Sequence, residues 1–332
     1  MAKMKYFYEL TISSSPHAHS TTTTQTIMRD VLIALSPALL ASIYFFGFRA
    51  LMVTLVSATA SLFFEWAYRK LMKLDNTTWD LSAVVTGVLL AFVCPVTIPY
   101  WTIILGDLFA IVLVKQLFGG IGKNFVNPAL AGRAFMFSWP VLMSTWVKVG
   151  FSNAAGTLST ADIVTAATPL ASMHQGVMCQ ESILDLFIGN VGGCLGETSA
   201  LALLIGYVYL LVRKVISPRI PSVYLGTVAI LAYLFPVGNN PSAWMLAQLC
   251  SGGLFLGAIF MATDYVTSPV TKKGQILFGL GCGILTIVIR YFGGYNEGVS
   301  YAILIMNLCV VLLDKVGRPV KFGAPKKEAA KK

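Results

Sequence analysis

The chain has 332 residues, of which 56% are hydrophobic and 11% are charged, and its mean hydropathy is +0.75. This composition excludes an ordinary soluble domain, in which about 25% of all residues are charged. It also excludes a membrane β-barrel, because the apolar residues form continuous blocks rather than short alternating segments. The formal net charge of +10 is informative mainly through its distribution along the chain.

Ten apolar blocks are long enough to cross a membrane as helices, which need roughly 20 residues each. In chain order they cover residues 30–48, 50–68, 80–94, 98–115, 125–147, 197–212, 221–236, 243–262, 274–290 and 298–314. We therefore predict an all-α integral membrane protein with about ten transmembrane helices.

The basic residues predict the orientation of these helices. With the N-terminus in the cytoplasm, twenty of the 24 Lys and Arg residues fall on cytoplasmic segments, and seven of these lie in the tail 315–332. Only Arg49, Lys148 and Arg290 fall outside, and Arg133 lies within a span. This asymmetry follows the positive-inside rule and predicts a multi-pass protein of the cell membrane with both termini cytoplasmic. The basic tail is interpreted as an orientation signal or a contact with acidic lipid, not as a nucleic-acid arm.

A weak internal repeat divides the chain. Cys94-Pro95-Val96 and Phe118-Gly119-Gly120 recur 174 positions later as Ser268-Pro269-Val270 and Phe292-Gly293-Gly294. If five spans form each half, their odd number inverts the second half relative to the first. The prolines predict helix breaks at residues 93–99 and 265–269, which we expect to face each other near the midplane. The alternative is that both segments are ordinary loops that contain proline.

The clearest ionisable residues within predicted spans are Asp107, in the middle of its span, and Arg133. Charge at membrane depth is costly, so such groups are usually paired or functional. Asp107 and Arg133 could form a buried ion pair; alternatively Arg133 lies near an anionic ligand or Asp107 lies on an ion path. Asn127 and Pro128 predict the start of a helix whose free backbone donors could meet a ligand. The six isolated cysteines and three scattered histidines predict no metal site.

The segment between the two halves contains Asp162-Ile163-Val164-Thr165-Ala166-Ala167-Thr168-Pro169. Because Thr168 precedes a proline, its backbone is expected to be extended, with the hydroxyl on an accessible, non-helical segment. On composition alone this segment could equally be a helix cap or a turn rich in Ser and Thr.

These residues resemble the flavinylation motif of the RnfD and NqrB family, in which an aspartate, a Thr or Ser, and an Ala precede the modified Thr. Asp162, Thr165, Ala167 and Thr168 match that pattern. Two positions depart from it, because Ile163 and Ala166 stand where glycine is usual. A second block, Phe118-Gly119-Gly120 through Asn127-Pro128-Ala129 to Arg133-Ala134-Phe135, is similar to the same family, as is the segment from Ser15 to Pro37.

The resemblance implies a fold of two inverted five-helix repeats with broken helices, like that of urea transporters. It implies FMN attached through its phosphate to Thr168, and a second, noncovalent flavin such as riboflavin within the membrane. Asp162, Thr165 and Ala167 would be recognised by a flavin transferase, and Asn127 and Arg133 would contact a flavin. None of these residues is expected to act as an acid or base, since the flavin ring carries the redox chemistry.

By resemblance, the chain is expected to be the D component of an Rnf-type complex, alongside components A, B, C, E and G. Such a complex passes electrons between ferredoxin and NAD and couples this to Na⁺ or H⁺ movement. Two alternatives remain: an NqrB-like component of a quinone reductase, or a channel of urea-transporter type with no redox role.

The predicted organisation has five parts. They are a cytoplasmic segment (1–29), a first repeat (30–148), an extracytoplasmic flavin-bearing connector (149–196), a second repeat (197–314) and a basic cytoplasmic tail (315–332).

Overall fold

A computed structural model describes residues 22–147, 168–179, 181–237, 240–294 and 297–317. Within these ranges the chain forms helices and loops, without a β-sheet. This confirms the prediction of an all-α protein.

Seven helices lie in the described part of the chain up to His174. They are α1 (Thr24–Phe46), α2 (Phe48–Leu71), α3 (Ser82–Phe92), α4 (Tyr100–Leu108), α5 (Pro128–Met136), α6 (Pro140–Met143) and α7 (Pro169–His174). A 3₁₀ turn, Thr78–Asp80, precedes α3, and α4 continues as a π-helix, Phe109–Gln116.

Seven more follow. They are α8 (Ile183–Ile188), α9 (Ala200–Val212), α10 (Arg219–Leu234), α11 (Pro241–Cys250), α12 (Leu254–Leu256), α13 (Lys272–Phe292) and α14 (Val299–Gly317). Helix α12 also continues as a π-helix, Gly257–Met261.

Each of the ten predicted apolar blocks coincides with at least one helix, but the helices differ in length. By length and composition, four single helices of the described residues suffice to cross a membrane: α1, α2, α13 and α14. The bent pair of α11 and α12 with its π-helical extension makes a fifth. Helices α3, α9 and α10 are apolar but shorter. The fold is thus that of a multi-pass membrane protein.

Three predicted spans have different bounds in the structure. Helix α1 begins at Thr24, before residue 30, because the Thr23 side chain accepts a hydrogen bond from the Thr26 N–H and caps it. The predicted span 125–147 is not one helix, since α5 ends at Met136 and a new turn starts at Pro140. The predicted span 243–262 bends by 64° between Cys250 and Leu254. Gly252, at φ +67°, lies at this bend and has a conformation that favours glycine.

The first predicted helix break is confirmed, because α3 ends at Phe92 and α4 begins only at Tyr100. Other residues make hydrogen bonds with the backbone groups that this break leaves outside a helix. The Arg49 guanidinium donates to the carbonyl oxygens of Val96 (2.9 Å) and Thr97 (3.2 Å). The N–H groups of Leu195 and Gly196 donate to the carbonyls of Cys94 and Phe92 at 3.0 and 2.9 Å. These hydrogen bonds give partners to backbone groups that the break leaves outside a helix, as a chain in an apolar environment requires.

The second predicted break is also confirmed, between Met261 and Lys272. Here the Asp314 carboxylate accepts hydrogen bonds from the N–H groups of Val270 and Thr271, each at 3.1 Å. The amide of Gln275 donates to the Pro269 carbonyl at 3.2 Å. Side chains from α13 and α14 thus stabilise the backbone of this break through hydrogen bonds.

The expectation that the two breaks face each other is wrong. The C-terminal end of α3 meets the first break and packs at Phe92 against Gly196. Its N-terminal part, around Ser82, lines a cavity together with Asp264 and Val266 of the second break. The two breaks therefore lie at opposite ends of α3.

Helix packing repeats between the halves. Helix α2 packs on α3 and α4, and α4 packs on α5. In the second half, α10 packs on α11 and α13, and α13 packs on α14. The first helices of the two halves, α1 and α9, pack against each other, and Gly206 permits this because a Cβ there would lie 2.1 Å from the Ala34 carbonyl oxygen.

Candidate functional site: a cavity and a buried charge cluster

A cavity lies between the two halves of the described chain and is called here the interhelical cavity. Its volume is about 370 Å³, within the range of about 300–1,000 Å³ typical of small-molecule sites. Apolar side chains of α1, α3, α9 and the π-helix 257–261 form most of the wall. Lys115, Asn124, Asn127, Thr86 and Thr263 add polar groups. A mostly apolar wall with a few fixed polar groups suits a planar organic ligand.

Asn127 lies at the start of α5, as predicted, and its side chain takes part in three hydrogen bonds. Its side-chain oxygen accepts from the N–H groups of Ala129 (3.0 Å) and Leu130 (3.3 Å). Its amide nitrogen donates to the Met261 carbonyl at 3.2 Å, which connects the two halves. The prediction that these backbone donors are free for a ligand is wrong, because Asn127 itself caps them.

Lys115 is buried in the cavity wall, and two neighbours fix its ammonium group. It donates to the Glu65 carboxylate at 2.9 Å and to the Ser82 hydroxyl at 2.7 Å. Burial of both ions requires such a pairing, because neither can be hydrated there. The ammonium therefore stays at a defined position beside the cavity.

Arg133, on α5, forms the centre of a buried charge cluster. Its guanidinium donates to Glu197 at 3.2 Å, to Ser300 at 2.9 Å and to Glu297. Glu197 precedes α9 and Glu297 precedes α14, so one guanidinium joins the first half to two segments of the second. The alternative of a pair between Arg133 and Asp107 is wrong. Asp107 accepts instead from Ser57 (2.9 Å) and Ser61 (2.8 Å).

Cys194, Glu197 and Glu297 place three possible metal ligands within 4.8 Å of one another. The Arg133 guanidinium contacts both carboxylates and lies near the Cys194 sulfur at 3.6 Å. This cation already provides the positive charge that a metal ion would bring between these ligands. The cluster is therefore an ion-paired joint rather than a zinc-type site.

Thr168 has the extended backbone that its proline neighbour predicts, at φ −68° and ψ 148°. It caps α7, its hydroxyl accepting from the Ala171 N–H at 3.3 Å, and its side chain is half-buried. It lines a small void of about 20 Å³, called here the Thr168 cavity, together with Glu197, Ser251 and Glu297. The motif residues Asp162, Thr165 and Ala167 lie outside the described residues.

Sequence reasoning missed Glu197 and Glu297 as partners of Arg133. A signal existed, since the chain has only 14 acidic residues and an intramembrane arginine requires one of them nearby. Glu197 follows Gly196 in an apolar stretch without basic residues, which singles it out. Glu297 had no such local signal, because only the three-dimensional fold brings it to Arg133.

The fold and these sites define a multi-pass membrane protein with broken helices, an interhelical cavity and a buried cluster of charges beside an extended threonine. Residues 11–323 match the profile of the NQR2, RnfD, RnfE family, and the chain belongs to that family.

Relatives of known name support this membership. The chain is 48% identical to the D component of the Na(+)-translocating ferredoxin:NAD(+) oxidoreductase complex of Acetobacterium woodii, over 96% of both chains. It is 41% identical to the D component of the proton-translocating ferredoxin:NAD(+) oxidoreductase complex of Clostridium ljungdahlii, over 94% of this chain and 96% of the relative. It is 35% identical to the D component of the ion-translocating oxidoreductase complex of Actinobacillus succinogenes, over 94% and 97%.

Replacing Arg133 by leucine is expected to destabilise the protein by about 3–5 kcal/mol, because two carboxylates lose their buried counter-ion. Arg213→Leu is the matched control. Its guanidinium pairs with Asp30 but is 49% exposed, and Asp30 keeps a hydrogen bond from Tyr209, so a smaller loss of about 1 kcal/mol is expected. Thermal unfolding of the purified protein in detergent measures both. Adding Glu197→Gln to Arg133→Leu should recover part of the loss, and equal melting temperatures for Arg133→Leu and Arg213→Leu would contradict the assignment.

Proposed function

We propose that the chain is the membrane-embedded D component of an Rnf-type complex. It carries electrons between ferredoxin and NAD through flavin, and the complex couples this transfer to Na⁺ or H⁺ translocation. The observation that carries the proposal is the similarity over nearly the whole chain to relatives whose names state this activity. The A, B, C, E and G components of the complex, a flavin transferase and membrane lipid are the proposed partners.

Thr168 is the proposed attachment site of FMN, through a phosphoester on its hydroxyl oxygen. Three features of the residue fit this role. Its backbone is extended, its side chain is half-buried rather than enclosed, and its hydroxyl oxygen serves as an acceptor toward Ala171. An ester oxygen can still accept that capping bond, so modification is compatible with the local structure.

An aromatic groove near the other end of α7 could take the ring system of this flavin. It has a volume of about 500 Å³ and is lined by His174, Phe235, Tyr291 and Phe292. Six residues of helix separate Thr168 from His174, a rise of roughly 9 Å. Aromatic walls suit a planar, conjugated ring.

The interhelical cavity is the proposed site of a second, noncovalent flavin. Asn124, Asn127 and Lys115 lie in its wall and would orient the ligand, and the apolar side chains would exclude water. The Lys115 ammonium is held at a fixed position by Glu65 and Ser82, and it could donate a hydrogen bond to a carbonyl oxygen of the ring. Arg133 is not proposed as a direct ligand, because its guanidinium is engaged by Glu197 and Glu297.

A channel of urea-transporter type is the second candidate, favoured by the helix breaks at opposite ends of α3 and by the repeated packing of the halves. The fold of two inverted five-helix repeats is proposed for both functions. An NqrB-like component of a quinone reductase remains within the same family. Detection of a covalent flavin would distinguish the two redox functions from the channel function, since a channel needs no flavin.

Thr168→Ala is expected to abolish covalent flavin, because the ester oxygen is removed, while the protein still inserts and assembles. Thr168→Ser should keep some of it, and Thr165→Ala should reduce it without removing the attachment site. In-gel fluorescence of the denatured protein and peptide mass spectrometry measure these outcomes. An FMN-sized adduct on Thr165 with Thr168 unmodified would falsify the assignment, and no adduct in protein from its native host would favour the channel.

The proposed orientation places both termini in the cytoplasm and Thr168 on the outer side. Thr168→Cys should therefore react with a membrane-impermeant maleimide added outside intact cells. The native Cys179 gives little background, since burial, together with the neighbouring Glu181 carboxylate, raises the pKa of its thiol and lowers the reactive thiolate fraction. Labelling of Thr168→Cys only after the cytoplasmic side is opened would reverse the topology.

Val31→Trp is expected to remove the second flavin by filling the interhelical cavity from α1. Leu40→Trp is its control, because Leu40 lies on the same helix but is 66% exposed and does not line the cavity. Flavin released by acid from the purified complex, quantified by chromatography, should fall for Val31→Trp alone. Covalent flavin should be unchanged in both variants; full noncovalent flavin in Val31→Trp would exclude this cavity as the site.

A further inference from the structure

Asp107 lies where α4 continues as a π-helix, and its side chain is completely buried. The Ser57 and Ser61 hydroxyls of α2 lie 2.9 and 2.8 Å from its Oδ1 atom. The Ser57 hydroxyl also lies 2.7 Å from the Gly87 carbonyl oxygen of α3. These contacts form one continuous row of oxygen atoms that joins α4 to α2 and α3.

The direction of the contact between Asp107 and Ser57 depends on the charge of Asp107. A hydroxyl has one proton to donate, and a carbonyl oxygen has none. If Asp107 were ionised, the Ser57 proton would have to serve both the carboxylate and the Gly87 carbonyl, although each contact has the length of a full hydrogen bond. If Asp107 is protonated, it donates to Ser57 and Ser57 donates to Gly87. Every contact in the row then has its own proton.

The other carboxyl oxygen of Asp107, Oδ2, is buried and has no hydrogen-bond partner among the described residues. An unpaired oxygen costs less on a neutral acid than on a carboxylate, because desolvation penalises the charged group more strongly. The surroundings are closely packed, since a Cβ on Gly87 would lie only 2.7 Å from the Ser57 carbonyl oxygen. Asp107 lines none of the three cavities described above, which could supply water.

No cation forms a salt bridge with Asp107 in the described part of the chain. Helix α3 has no titratable side chain, and those of α2 other than Glu65 lie in its first and last turns. Glu65 pairs with Lys115 of the π-helix, and Arg133 of α5 pairs with its two carboxylates. The buried Cys94 thiol, in the break after α3, adds no positive charge. An ionised Asp107 would therefore be a buried charge without a counter-ion, which is costly at membrane depth.

We propose that Asp107 is a proton-binding site, held as a neutral carboxylic acid that donates its proton to Ser57. The Ser61 hydroxyl donates to the acid and the Ser57 hydroxyl donates to the Gly87 carbonyl, so one chain of hydrogen bonds links three helices. The site goes beyond the proposed electron transfer. It also does not depend on flavin, because Asp107 lines neither the interhelical cavity nor the aromatic groove.

Infrared spectroscopy of the purified complex tests the protonation, because a protonated carboxyl and a carboxylate absorb at different stretching frequencies. The measurement is made at about pH 8, where exposed aspartates, with a pKa of about 3.9, are ionised. Asp107→Asn should lose one band of a protonated carboxyl and no carboxylate band. Asp314→Asn is the matched control, because the Asp314 carboxylate accepts hydrogen bonds from the Val270 and Thr271 N–H groups. It should lose carboxylate bands only.

Ser57→Ala keeps the acid but removes the acceptor of its proton, so the band of the protonated carboxyl should move to higher frequency. If Asp107→Asn does not fold, this shift decides. Loss of carboxylate bands in Asp107→Asn, or an unchanged protonated-carboxyl band in Ser57→Ala, would overturn the proposal. Neither readout requires flavin, so failure of the proton site and failure of the proposed function are distinguished.

Discussion

A guanidinium buried at membrane depth must have its charge neutralised by protein, and Arg133 meets this requirement with two carboxylates from distant parts of the chain. The consequence is structural. Helix α5 of the first half is joined to the segment before α9 and to the segment before α14. The same segment before α9 also donates two backbone hydrogen bonds to the first helix break. The ion pairs of Arg133 therefore hold the first helix break, the segment before α9 and the wall of the Thr168 cavity in one arrangement.

Arg290 supports the neighbouring bend in the same way, but through carbonyl oxygens. Its guanidinium donates to Gln248, Ser251 and Glu297, and so braces the bend between α11 and α12. Gly252 and Gly253 permit this bend, because a Cβ on Gly253 would lie 2.3 Å from the Glu197 carboxylate. Charged side chains thus replace water as partners of a backbone that leaves its helix within the membrane. Hydrogen bonds from residues distant in the sequence thus stabilise the backbone at each break.

Local rules explain which structural features could be predicted from the sequence. Apolar blocks located the helices, Pro128 and Asn127 located the start of α5, and Pro169 gave Thr168 its extended backbone. Each of these depends on residues within one turn of the chain. The partners of Asp107 and Arg133 and the opposite positions of the two breaks were not predictable, because they depend on contacts between segments more than 40 residues apart. The bend at Ser251-Gly252-Gly253 had a local signal, but its apolar neighbours resembled a continuous span.

Helix α3 lies between the two cavities described above. The Thr168 cavity adjoins the C-terminal end of α3 through Gly196 and Glu197, and the interhelical cavity adjoins its N-terminal part at Ser82. Eleven residues of helix separate the two ends, a rise of roughly 16 Å. In the proposed function, one flavin lies toward each end. The two proposed flavin sites would thus lie on opposite sides of one apolar barrier, and α3 contacts the cavities at both ends.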